Sequence, residues 1–279
     1  MKKINYIIRN IGRVVAAAAG LFLMVACDNI SEKDRLIDFP LPEANKSVLI
    51  WEYTGQRCTN CPDGAKVISE LMEAYPENVV TVCIHPEGVT FTEPFPRGAR
   101  LTCETATEIY RTFPVIEFPY AFFDGQSSSE STNYPKWSTE AISKLDNRPP
   151  ANLTAEAKAD ETGRITVDVD CEFISDVTFP MNLTVWIIEN GLVAPQVTKT
   201  GGRDNNYVHN HVLRGSLNGT WGQLIGSVFG IGDTESFEIS GQAEAEWALE
   251  NCEAVVFLSD PNSHYVYQCV AVHIETETE

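Results

Sequence analysis

The chain has 279 residues, 43% hydrophobic and 10% aromatic, which excludes a disordered polyelectrolyte and leaves room for one or two packed domains. Acidic residues outnumber basic ones 39 to 20, for a net charge of −19. That balance excludes nucleic acid as a partner and argues against electrostatic docking on anionic lipid, both of which need a basic surface.

The first elements are targeting elements. Lys2, Lys3, Arg9 and Arg13 precede an apolar run from Val14 to Ala26. At about 1.5 Å per residue this run is too short for a hydrocarbon core roughly 30 Å thick, and it fits the apolar region of a signal peptide. It ends in Met24-Val25-Ala26-Cys27, which resembles a bacterial lipobox. The resemblance implies that residues 1–26 are a signal peptide, cleaved before Cys27, and that Cys27 is lipidated. An ordinary signal peptide followed by an incidental Cys is the alternative. Several acyl chains on one residue anchor stably, where a single chain does not. Asp28 resembles an inner-membrane retention signal of enteric bacteria, a rule that does not extend to all Gram-negative groups. The expected place is therefore the outer membrane, facing the periplasm or the surface, with the inner membrane as the alternative. Residues 27–46 are polar with two prolines and read as a tether.

From residue 47 to 148 strand and helix patterns alternate. Val48–Tyr53 and Val79–Ile84 are short continuous apolar runs, as in central strands. Between them, residues 62–75 place Ala65, Ile68, Leu71, Met72 and Tyr75 at helical spacing, with Pro62 suited to the first turn. Residues 102–112 predict a second helix, Tyr120–Phe123 a third strand closed by Asp124-Gly125, and residues 136–146 a last helix. Arg148-Pro149-Pro150 ends this pattern. From residue 149 to 279 the period becomes two, and about seven strands are predicted: Ala151–Ala159, Ile165–Phe173, Met181–Ile188, Tyr207–Leu213, Ser236–Ile239, Ala254–Ser259 and Tyr265–Ile274. The expected fold is an α/β domain followed by an all-β, immunoglobulin-like sandwich.

Cys58-Thr-Asn-Cys61 falls between the first strand and the first helix. A thiol at a helix N-terminus sits in the positive end of the macrodipole, where its thiolate is stabilised. Two cysteines three apart close a disulfide; the first attacks and the second resolves. Zinc would call for a second such pair, and the sequence has none.

Residues 46–146 resemble the thioredoxin superfamily. The match rests on the strand–Cys-x-x-Cys–helix order, on Glu52 six residues before Cys58, and on Phe118-Pro119 directly before the strand Tyr120–Phe123. The resemblance implies that Glu52 is a buried acid exchanging a proton with Cys61, and that Pro119 is the cis-proline facing the dithiol. Three positions depart from the pattern. Arg57 stands where tryptophan is usual, Thr54 where an aromatic is common and Phe118 where a small or β-branched residue is preferred. No clear strand follows Gly125.

Nearly all of residues 46–274 further resembles the outer membrane protein 28-related lipoprotein family. The matching segments are Glu52–Pro62, Ile84-His85, Tyr207–Arg214 and Trp221-Gly222. The resemblance implies a thioredoxin-like domain, then a β-sandwich, attached to the outer membrane. Two functions stay open. One is a thiol-disulfide oxidoreductase acting on exported cysteine-containing proteins, with Cys58 as nucleophile, Cys61 resolving, Glu52 relaying the proton and Pro119 shaping the substrate site. The other is a non-enzymatic surface module or adhesin that binds a protein or glycan, its Cys-x-x-Cys a structural disulfide.

The remaining candidates are weaker. Cys252 and Cys269 flank the turn at residues 260–263 at a spacing compatible with a cross-strand disulfide; bridging of Cys171 to either one is the alternative. Cys83 reads as a core thiol or as a partner of Cys103. His209 and His211 share a face of a predicted strand, with no third metal ligand evident. His85 either caps its strand or tunes the dithiol. No cofactor and no metal is expected.

Overall fold

The computed structural model describes residues 43–276. The signal peptide, Cys27 and the tether up to residue 42 lie outside the described residues.

The first strand, β1 (Val48–Tyr53), is buried along its whole length, as its unbroken apolar run dictates. Helix α1 (Cys61–Ala74) follows, with Pro62 and Asp63 in its first turn and Ile68 and Leu71 on its buried face. β2 (Val79–Ile84) runs parallel to β1, placing Cys83 opposite Glu52. Helix α2 (Glu104–Thr112) is capped by Cys103, whose sulfur accepts from the Ala106 amide. β3 (Tyr120–Phe123) pairs antiparallel with the other edge of β1. Helix α3 (Trp137–Leu145) closes this part. All six elements stand where the sequence predicts them, within two residues.

Long strands dominate the remainder: β4 (Ala151–Ala159), β5 (Arg164–Phe173) and β6 (Met181–Glu189). Four two-residue strands come next, β7 (Leu192–Val193), β8 (Gln196–Val197), β9 (Arg203–Asp204) and β10 (Val208–His209). β11 (Val212–Ser216), β12 (Gln223–Gly226), β13 (Thr234–Gln242), β14 (Cys252–Ser259) and β15 (Val266–Thr276) complete the chain. The predicted strand 207–213 is corrected here. His211 takes a left-handed φ of 56°, which ends β10 and lets the chain turn into β11.

The fold is mixed α/β around one large sheet of eleven strands. Its order is β13-β5-β4-β15-β14-β6-β11-β2-β1-β3, with β12 paired to β6. The join between early and late strands is β11, parallel to β2 at Val212–Cys83 and antiparallel to β6.

Period-two alternation explains the cores. On β1, Val48 and Ile50 face α1 and α3, packing with Ile68, Leu71, Trp137 and Ala141. Leu49, Trp51 and Tyr53 face the other way, into a core shared with Ala106 and Ile109 of α2. That second core continues across β11 into Trp186, Ile188, Val255 and Phe257. Trp51 sits in its middle, with ring centroids 5.6 Å from Trp186, 5.9 Å from Phe113 and 6.2 Å from Trp221. β6 and β14 are buried on both faces. Their alternate residues Val185, Ile187, Ala254 and Val256 pack against Ile165, Val167 and Val169 of β5. Burying one such aliphatic side chain contributes roughly 1.5–3 kcal/mol.

The structure corrects the predicted Cys252–Cys269 disulfide. The turn after β14 is longer than the sequence suggests, so Ser259 pairs with Val266, and a bulge adds a further shift. Cys269 then lies opposite Phe257, while Cys252 lies beyond Glu253, which pairs with His273. Cys252 joins the core between β5 and β6, whereas Cys269 joins the core around Trp51. Both are free thiols, as are Cys83, Cys103 and Cys171, so the Cys83–Cys103 and Cys171 pairings do not form either.

Candidate functional site

Cys58 and Cys61 form a disulfide at the N-terminus of α1, with Cα atoms 5.4 Å apart. The Cys61 amide donates to the Cys58 sulfur at 3.1 Å. The Phe118–Pro119 peptide is cis, and Pro119 packs close to Gly64 in the first turn of α1. Cys58, Cys61 and Pro119 thus all lie at the N-terminal end of α1.

Glu52 projects from β1 towards α1 and is 1% exposed. Burial pushes its carboxyl up to about 8, with only partial relief from the Cys83 thiol, which donates to Oε2 at 3.4 Å. Its other oxygen, Oε1, has no hydrogen-bond partner. Glu52, Cys61 and Cys83 line one cavity of about 270 Å³, together with Tyr207, His209 and His211. That volume accommodates several waters, and its polar walls would hold them. His85 lines it too, and burial lowers the imidazole to about 3; His209 falls to about 4 for the same reason. At neutral pH these imidazoles carry no charge, so they supply no cation to stabilise the Glu52 carboxylate. His85 thus stands beside the dithiol's cavity, with its ring 6.0 Å from that of His209.

Cys58 is sealed. It is 2% exposed, beneath a segment that sequence reasoning missed. Gln196, at the start of β8, donates from Nε2 to the Cys58 carbonyl at 2.8 Å and to the Gly55 carbonyl at 3.3 Å. The Val197 amide donates to the Gln56 carbonyl at 2.8 Å, and Gln56 Nε2 to the Pro195 carbonyl at 2.9 Å. Lys199 pairs with Asp63 in the first turn of α1. Residues 195–199 thus lie across the loop that carries the disulfide. A second cover comes from residues 91–95. Phe91 stacks on Phe118 at 5.0 Å, and Arg57 donates to the Glu93 carbonyl and lies 4.3 Å from the Phe95 ring centroid. These contacts are the use made of Arg57. Gly55 permits the approach, because a side chain there would meet the Phe91 carbonyl. The only sequence signal for the 195–199 cover is a pair of glutamines, Gln56 and Gln196, too distant in the chain to suggest contact.

Among the described residues no group of three or more His, Cys, Asp or Glu is arranged to hold a metal ion. Nor is any helix there long and apolar enough to cross a membrane.

The comparisons agree with this architecture. Among solved structures the chain is similar to HBP35 of Porphyromonas gingivalis, with a TM-score of 0.66 and 15% identity, covering 85% of this chain and 79% of that one. It is similar to protein AGR_C_4864 from Agrobacterium tumefaciens, with a TM-score of 0.50 and 11% identity, over 85% and 98% of the two chains. A domain of the outer membrane lipoprotein Omp28 from Porphyromonas gingivalis matches at 22% identity and a TM-score of 0.33, over 47% of this chain and 92% of that one. The first two likenesses show a shared fold. No curated protein matches in sequence. The family model for outer membrane protein Omp28 matches residues 106–278, a span that includes Pro119 and the whole later part of the sheet but not Glu52, Cys58 or Cys61. It covers more than half of the chain, which belongs to the outer membrane protein Omp28 family.

Proposed function

We propose that this outer-membrane protein, tethered through a lipidated Cys27, carries out thiol-disulfide exchange with exported cysteine-containing proteins. In this reading residues 47–148 form a thioredoxin-like unit and residues 149–279 an immunoglobulin-like sandwich packed beside it. The observation that carries it is Glu52. A disulfide that merely staples a loop has no need of an unpaired carboxyl buried next to it, at a cost of several kcal/mol. A redox disulfide does, because its leaving thiolate must be protonated away from bulk water.

The chemistry runs from the oxidised state. A substrate thiolate attacks the Cys58 sulfur, the Cys58–Cys61 bond breaks, and a mixed disulfide forms. Cys61 leaves as a thiolate and takes the proton that Glu52 holds below about pH 8. A second substrate thiolate then attacks the substrate sulfur of the mixed disulfide and releases Cys58. Two electrons pass from the substrate dithiol to the protein, which ends as the dithiol. The attack requires residues 195–199 to swing off Cys58; the polar cavity lets Glu52 exchange its proton with solvent without such movement.

A second reading is favoured by the burial of Cys58 itself: a closed unit whose disulfide is structural, on a module that binds a surface protein or a glycan. The test is the redox equilibrium of the chain from Asp28 to Glu279 against glutathione, read by thiol trapping and peptide mass mapping. A midpoint in the oxidoreductase range, with loss of insulin reduction in Cys58→Ala, supports exchange. A pair that stays oxidised in excess glutathione overturns it in favour of the binding module.

A further inference from the structure

Cys83 is a buried nucleophilic group that the mechanism above does not use. Three observations give it a task. It stands directly opposite Glu52 in the parallel β1–β2 pair, so the backbone fixes the distance between the two side chains. Its sulfur donates to Oε2 of Glu52 at 3.4 Å, while Oε1 has no partner. Both residues line the cavity that Cys61 also lines.

We propose that Cys83 is a positioning residue of the redox site: its thiol hydrogen holds Oε2 of Glu52, so that Oε1 is the oxygen that exchanges the proton with Cys61 across the cavity. The inference rests on the exchange reading given above. The proton of a free carboxyl can sit on either oxygen with equal energy, and in a hydrated cavity the group would turn freely. A donor on one oxygen breaks that equality and keeps the other aimed. The thiol suits the task because burial and the neighbouring carboxyl hold its own pKa well above the ordinary value, so its hydrogen is always present. A thiol is also a weak donor, which leaves the carboxyl protonated near neutrality where a strong donor would drive it to the carboxylate. The titratable groups that line the cavity with Glu52 are few: Cys83 from β2, His85 just after it, Lys66 from α1, which pairs with Glu70, and Tyr207, His209 and His211 from the segment that follows β9. Among these only Cys83 bonds it.

The test compares Cys83→Ser, which keeps a donor, with Cys83→Val, which removes it and keeps apolar bulk in the strand; Cys83→Ala replaces the valine variant if that one does not fold. Two readouts are taken on the chain from Asp28 to Glu279. One is the carbon-13 NMR titration of the Glu52 carboxyl, assigned with Glu52→Gln, which needs no activity. The other is the pH profile of disulfide exchange with dithiothreitol. The expected result is a Glu52 midpoint near pH 8 in the parent and a lower one in Cys83→Ser, whose hydroxyl is the stronger donor, with exchange retained. In Cys83→Val it moves up by about one unit, with exchange slowed about tenfold. A Glu52 midpoint unmoved in Cys83→Val, or a loss of exchange equal in both variants, overturns the proposal, since a core-filling thiol would give either. A parent chain that performs no exchange overturns the proposed function instead, and the NMR titration then reports separately whether Cys83 holds the carboxyl.

Discussion

The seams between chain segments and the floor beneath α1 both bury carboxyl groups, and they treat them in opposite ways. In the seam between β6 and β11, Glu189 meets Arg214 at 3.0 Å, both almost fully buried, and Arg214 also donates to the Arg100 carbonyl at 2.6 Å. Asp124, after β3, follows the same rule: Lys46 lies 2.8 Å away and the Leu49 amide donates to its Oδ1. Under α1, Glu52 meets only a thiol. Where a carboxylate ties chain segments together, this fold supplies a cation. Where it supplies none, the carboxyl is kept neutral beside a disulfide and a polar cavity. The contrast separates structural ion pairs from a buried carboxyl with no cation beside it.

The most severe way to break the contrast is chemical. Cys58→Ala should abolish exchange with insulin or dithiothreitol while the far-ultraviolet circular dichroism stays unchanged; residual exchange would place the chemistry on another cysteine. Next comes the structural pair. Arg214→Met leaves Glu189 uncompensated and should cost about 3–5 kcal/mol of unfolding free energy by urea titration. A loss below 1 kcal/mol would mean that Glu189 is not held by charge.

Glu52→Gln should act in the opposite direction. Glu52 keeps its proton in the fold up to about pH 8 but loses it near 4.5 when unfolded. Between those values the folded state binds more protons, so stability falls as pH rises through the window. The glutamine variant removes that slope. Its stability should equal the parent's below about pH 4.5 and exceed it by roughly 4 kcal/mol at pH 8. Parallel curves for the two proteins would show that Glu52 titrates normally. The smallest effect is expected at the cover. Gln196→Ala removes two hydrogen bonds over Cys58, should cost about 1–2 kcal/mol, and should speed trapping of Cys58 by a few fold after reductant is added. An unchanged trapping rate would mean that the 91–95 segment alone seals the disulfide.

The legible parts of the site were those written in neighbouring residues. Pro62 after Cys61 marks the start of α1, and the apolar run Val48–Tyr53 announces a central strand, so Cys58, Cys61 and Glu52 could be placed on the same end of the sheet. Pro119 before the strand Tyr120–Phe123 was legible for the same reason. Cys83 was visible as a strand residue, but its pairing with Glu52 depends on the β1–β2 register, which no local signal carries. The Cys252–Cys269 pairing is not legible because a turn length and a bulge decide the register, and a shift of a few residues moves a side chain to another partner and another core; Cys83 stands as the buried core thiol that its strand pattern favours.

The amino-acid sequence by itself determined the helices and the longer strands, the position of the Cys-x-x-Cys at a helix N-terminus and the acidic, exported character of the chain. These follow from periodicity, turn residues and composition, which act over a few residues at a time. Only the tertiary structure decided that the late strand β11 would dock beside β2 and extend one core through Trp51 and Trp186. It alone laid Gln196 across Cys58, 138 residues away in the chain, and left Glu52 without a cation. Those outcomes depend on which surfaces meet when the sheet closes, and hydrogen bonds between distant segments form only after apolar burial has brought them together.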